Sequence, residues 1–198
     1  MSKHRSFKKK QLLALRKKII DKYYTTPTKS TNWKEVWFFP SYKDSYKDIK
    51  GFLGTQRIIF LGLNPSSGLF PTKRDKFFYG QLKANGFQDA HLTDFIKLKS
   101  KNKENTELEK SPDFKGQCDF LVKEIRIIDP KLIVFLGKKV QDLFEQNLRE
   151  RYTDIKGITT ERIPHYSYRW GNEKRIKEKF SKKMKDIKKQ YKNAVGKA

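Results

Sequence analysis

The sequence predicts an α/β fold of three layers, with helices on both sides of a central, mainly parallel four-stranded sheet. Four short apolar runs, 57–61, 91–98, 131–137 and 158–165, have strand length and alternate with stretches of helical periodicity. The third, KLIVFLG, is apolar along nearly its whole length, as are strands buried on both faces of a parallel sheet. Most of these runs open into polar, turn-forming residues, and in parallel sheets ligands bind beyond the carboxyl ends of the strands.

Each element has its own signal. Residues 8–24 (KKKQLLALRKKIIDKYY) place Leu12, Leu15, Ile19 and Tyr23 on one stripe among Lys and Arg, which predicts a basic amphipathic packing helix. An irregular aromatic segment, Trp33 to Tyr46, follows. Strand one ends where Gly62-Leu63-Asn64-Pro65-Ser66-Ser67-Gly68 breaks any regular pattern. A helix over about 75–86 closes at Asn85-Gly86, and HLTDFIKL (91–98) reads as strand two. The charged stretch KSKNKENTELEKSPD (99–113) reads as a mobile loop. Cys118, Leu121, Val122, Ile125 and Ile128 recur at helical spacing until Asp129-Pro130 stops them. Strand three runs into a helix carrying Val140, Leu143, Phe144 and Leu148. ITTERIPH (158–165) supplies strand four. A basic helix over about 172–193 lines up Ile176, Phe180, Met184, Ile187 and Tyr191.

The 198 residues are expected to form a single domain over 1–198, able to bury ~70% of the unfolded chain's surface without staples. Lys and Arg number 46 against 22 Asp and Glu, a net charge of +24, which favours polyanionic partners and makes their binding salt-sensitive. DNA, duplex or single-stranded, is the expected partner, and the aromatic content of 14% suits base stacking. A uniformly lysine-decorated surface is the plainer account of the same charge. Cys118 is alone, which excludes a disulfide framework, a cysteine-based zinc site and a four-cysteine iron–sulfur cluster. The expected setting is reducing and intracellular, cytoplasmic or nucleoid-associated. No apolar run approaches the ~18 residues of a bilayer span, so a soluble protein without membrane contacts is expected, and separately a monomer.

Three loops carry chemistry: Gly62–Phe70 after strand one, Asp94 with Lys97 in strand two, and Ile163–Gly171 after strand four. GLNPSSG lacks the Gly-Lys-Ser/Thr end of a phosphate-binding loop and the glycine spacing of a dinucleotide fingerprint. His4, His91 and His165 show no metal-ligand spacing, and no Ser or Cys sits in a nucleophile elbow. Acid–base chemistry without metal or cofactor is what remains.

FLGLNPS (60–66), HLTDFIKL (91–98), FLVKEIRIIDPKLIVFLGKKV (120–140) and PHYS (164–167) come in the order and at roughly the spacing of the uracil-DNA glycosylase superfamily. The chain resembles that family over about 55–190, in its cysteine-poor branch. The resemblance implies a monofunctional DNA glycosylase that flips a deaminated or mismatched base, uracil or a related lesion, from the stack and hydrolyses its N-glycosidic bond. By similarity, Asn64 would position the attacking water and His165 would stabilise charge developing on the base O2. Gly62, Leu63, Pro65, Phe70 and Asp94 would hold the base, Phe70 by stacking. Ser66, Lys73, Arg74, Tyr166, Ser167, Tyr168 and Arg169 would contact DNA, with Tyr168-Arg169-Trp170 where relatives carry a duplex wedge. Two departures stand out. The usual His-Pro-Ser is His165-Tyr166-Ser167 here, which removes a stiffening proline. Several relatives read uracil with Asn where this chain has Asp94, and an ionised carboxylate only accepts. A non-catalytic or diverged nucleic-acid-binding protein of the same fold is the alternative.

Overall fold

A computed structural model describes residues 3–25, 33–42, 48–65, 69–100, 113–166 and 173–196. The expected loop at 99–113 lies almost wholly outside them, as do Ser66, Ser167, Tyr168, Arg169 and Trp170. The elements in order are α1 (Lys3–Thr25), β1 (Trp33–Val36), a 3-10 turn (Gly51–Leu53), β2 (Gln56–Gly62), α2 (Lys73–Ala84), β3 (Ala90–Asp94) and β4 (Leu98–Ser100). They continue with α3 (Phe114–Ile128), β5 (Leu132–Leu136), α4 (Lys138–Phe144), a π-helical turn (Glu145–Arg149), α5 (Thr153–Lys156), β6 (Thr159–Ile163) and α6 (Glu173–Gly196). No described helix is long and apolar enough to cross a membrane.

The central sheet runs β3-β2-β5-β6 and all its pairings are parallel. Alternation along β2 divides the core. Ile59 and Leu61 point to one face, where they share a cluster with Leu12, Leu15 and Ile19 of α1 and Leu121, Ile125 and Ile128 of α3. Ile58 and Phe60 point to the other, with Phe78 and Leu82 of α2 and Phe180, Met184 and Ile187 of α6. Each such side chain taken from water contributes roughly 1.5–3 kcal/mol, so the two clusters hold the helices on the sheet. Lys8, expected on the solvated side of α1, is buried and donates to the Ile128 carbonyl at 2.6 Å, occupying a group that the end of α3 leaves without a helical partner.

Two expectations are corrected. HLTDFIKL is not one strand: β3 stops at Asp94, the chain bends through 95–97, and β4 joins a separate two-stranded sheet. The bend is made by bonds from far along the chain, Phe95 N to Gly62 O at 2.8 Å, Ile96 N to Leu63 O at 3.0 Å and Lys97 N to Gln117 Oε1 at 2.8 Å. The start of the aromatic segment is not irregular, because Trp33–Val36 pairs antiparallel with Leu98–Ser100. Both corrections arise from pairings at long sequence separation.

From β2 the chain passes to β3 on one side and, after α3, to β5 on the other. The loops that follow β2 and β5 therefore diverge, and a crevice opens at the carboxyl edge between them, where α/β sheets hold ligands.

Candidate active site

β2 delivers the first loop to this edge. Gly62 stands in register with Asp94, and a Cβ at Gly62 would press on the buried Asp94 carboxyl, which glycine leaves in its place. The amides of Phe95 and Ile96 hold the Gly62 and Leu63 carbonyls, which fixes the exit of β2 and leaves Asn64, half-buried, at its mouth. His165 arrives from β6. Gly137 N donates to Ile163 O at 2.9 Å, and Gly137 has φ +114° with His165 Cβ 3.9 Å from where its own Cβ would be.

Asn64, Pro65, Phe70, Lys73, Arg74, Asp94, His165 and Tyr166 line one cleft of about 540 Å³. Gly62 sits behind Asp94, and Leu63 packs on the α1/α3 core, so these two do not line it. Ser66, Ser167, Tyr168 and Arg169 fall outside the described residues. Phe70 meets Trp37, Tyr42 and Tyr79 edge-on or tilted, with ring centroids 5.5–6.4 Å apart, at the wall of the cleft. Phe78 is core.

Tyr166 lines the cleft and is clamped between two rings. Its ring stacks on Phe78 at 4.6 Å and 4°, and on its other side His165 stacks on it at 4.6 Å and 20°. Its hydroxyl bonds to Asp75 of α2. Asp75 also accepts from the Thr72 amide and hydroxyl at 2.7 Å each, in the capping box that starts α2. His165, Tyr166 and Phe78 thus form a three-ring column. Burial lowers the His165 pKa to about 4, against the pull of Asp75, so the imidazole is neutral at ordinary pH. Burial raises Asp94 to about 7; Lys97 opposes that rise and Glu124 adds to it.

Lys97, expected at the site, turns inward and is 1% exposed. Its ammonium donates to Thr93 Oγ1 at 2.8 Å and to the Asp94 main-chain carbonyl, and pairs with Glu124 Oε1 at 3.3 Å. Glu124 further accepts from Thr93 at 2.7 Å and faces His91 Nε2 at 3.3 Å. Burial opposes ionisation of Glu124, but Lys97, His91 and Thr93 together hold its carboxyl below the usual range.

Sequence reasoning missed Trp37, Phe39, Leu69, Thr72, Asp75 and Glu173, which complete the lining. Thr72 and Asp75 had a signal in their capping-box spacing. Trp37 and Phe39 had none, since a local pattern does not tell which aromatic folds over a distant strand end. Leu69 stands 92% exposed at the rim.

The family model for the uracil DNA glycosylase superfamily matches residues 51–190. Among solved structures, the crystal structure of wild-type Pedobacter heparinus SMUG2 is similar, with a TM-score of 0.57 at 13% sequence identity, covering 90% of this chain and 98% of that one. At that identity the likeness speaks to the fold. No curated protein matches the chain.

Proposed function

Because the chain belongs to the uracil DNA glycosylase superfamily, we propose that it hydrolyses the N-glycosidic bond of a deaminated or mismatched base in DNA. The supporting observation is the meeting of Asn64 and His165 in one cleft at the carboxyl edge of the sheet, from strands β2 and β6. In this reading the Asn64 side-chain carbonyl accepts a hydrogen bond from water and aims its lone pair at C1′. The C1′–N bond breaks toward an oxocarbenium-like sugar, the electron pair leaves with the base, the water oxygen bonds to C1′, and the proton it sheds passes through solvent to the base anion. His165, neutral, donates a ring N–H to the base O2 as charge accumulates there, a preorganised contact worth about 3 kcal/mol. Phe70 stacks on the extruded base. Lys73 and Arg74, exposed at the start of α2, meet phosphates, where the helix dipole adds to their charge.

The test uses duplex and single-stranded oligonucleotides carrying uracil, hypoxanthine, xanthine or mismatched thymine, followed by alkaline cleavage at abasic sites. Strand scission at one or more lesions is expected. Tight, salt-sensitive DNA binding with no scission on any of them would instead establish a binding protein of this fold.

A further inference from the structure

Asp94 lines the cleft beside Asn64 and His165, and the residues around it decide which species of its carboxyl a bound base would meet. It closes β3 at 5% exposure, pressed against Gly62 and opening into the cleft with Asn64 and His165. Near it lie one other buried carboxyl, Glu124, and one buried ammonium, Lys97. Lys97 turns its charge to Glu124, to Thr93 and to the main-chain carbonyl of Asp94. Glu124, which also accepts the Thr93 hydroxyl and faces His91, is the carboxyl equipped to be ionised. Asp94 is the one left to take a proton, as carboxyl pairs in unequal surroundings do.

We propose that Asp94 meets the flipped base as a neutral carboxylic acid, its O–H donating to a ring carbonyl and its C=O accepting from the neighbouring ring N–H. That is the pattern an asparagine amide presents, and it fits a lactam edge: N3–H beside O4 in uracil, N1–H beside O6 in hypoxanthine and xanthine. Once ionised, the carboxylate has acceptors alone and repels the base carbonyl. Base recognition by this cleft is therefore lost as pH rises and Asp94 gives up its proton, which its placement puts near pH 7. The groups facing Asp94 leave this step to it. Tyr79 of α2 and Tyr166 after β6 are held neutral far above that pH, His165 has already shed its proton near pH 4, and Lys97 and Glu124 are locked in their pair. Lys73, Arg74, Asp75 and Glu173 line the same cleft nearer its rim.

The inference rests on the glycosylase reading, and two measurements keep their fates apart. The first is single-turnover excision at saturating protein, from pH 5.5 to 8.5, on whichever of uracil, hypoxanthine or xanthine duplex is cleaved fastest. The rate is expected to fall about tenfold per pH unit above pH 7, and Asp94→Asn is expected to level that fall. The second is carboxyl ¹³C NMR of the free protein, with the Asp94 signal assigned by its absence from Asp94→Asn. A midpoint near 7 is expected. Excision that stays constant to pH 8.5, or a carboxyl already ionised at pH 6, overturns the inference while leaving the glycosylase reading intact. Absence of excision on every lesion at every pH overturns the glycosylase reading and with it the role in base reading, whatever the midpoint.

Discussion

Alanine at Asn64 removes a carbonyl from the mouth of β2, and alanine at His165 removes a ring N–H from the mouth of β6. Both groups are assigned to the transition state, so each variant is expected to slow saturated single-turnover excision by about 10²–10³ with little change in duplex affinity. Wild-type rates in both would reduce Asn64 to a turn residue. Asp94 and His165 also write opposite signatures on stability. His165, at about 4 folded and 6.5 unfolded, binds more protons unfolded, so its contribution falls as pH drops from 6.5 to 4. Asp94, at about 7 folded and 3.8 unfolded, binds more protons folded, so its contribution grows as pH drops from 7 to 3.8. Urea unfolding from pH 7.5 to 4.5 is expected to be nearly flat in pH for wild type, because the two contributions offset, to lose stability on acidification in Asp94→Asn, and to gain it in His165→Gln. Asn64 and His165 are legible in the sequence because each follows a strand end next to a proline. The neutrality of His165 and the proton on Asp94 are not, since burial and the Lys97–Glu124 pair that set them come from other elements.

The capping box at the start of α2 does two jobs. Asp75 closes the helix end with Thr72 and holds the Tyr166 hydroxyl, so fraying of the first turn loosens the ring column beneath His165. Thr72→Ala is expected to cost about 1 kcal/mol of stability by denaturant unfolding, and to slow excision as well. Among the strands, Glu124→Ala leaves Lys97 buried without its partner and is expected to destabilise by about 3–5 kcal/mol, whereas Glu124→Leu with Lys97→Met recovers much of that loss. The helices on both faces and the apolar strands β2 and β5 are readable from hydrophobic period, whereas β6, which holds only Ile163 buried, is read from its β-branched residues. The break of 91–98 into β3 and β4 is not. Apolar residues continue through the bend, and the amide bonds that turn it go to β2 and α3, invisible to a window of eight residues.

At the scale of the molecule, charge dominates. DNA affinity is expected to fall linearly on a log–log plot against salt, and charge reversal of Lys73 is expected to flatten that line while saturated excision rates hold. A flat salt response would sink the electrostatic reading. The slope should count far fewer phosphates than the net charge of +24, because the basic residues are not on one side. α1 carries nine Lys and Arg against one acidic residue, and α6 ten against three. The two helices pack on opposite faces of the sheet. A particle that is positive front and back is expected to hold one duplex at the cleft while its far side still attracts another. It need not let go of the first strand before touching the second. Release from a labelled duplex should therefore quicken as unlabelled competitor DNA is raised, the signature of hand-over between segments, and a dissociation rate indifferent to competitor would mean that one face works alone.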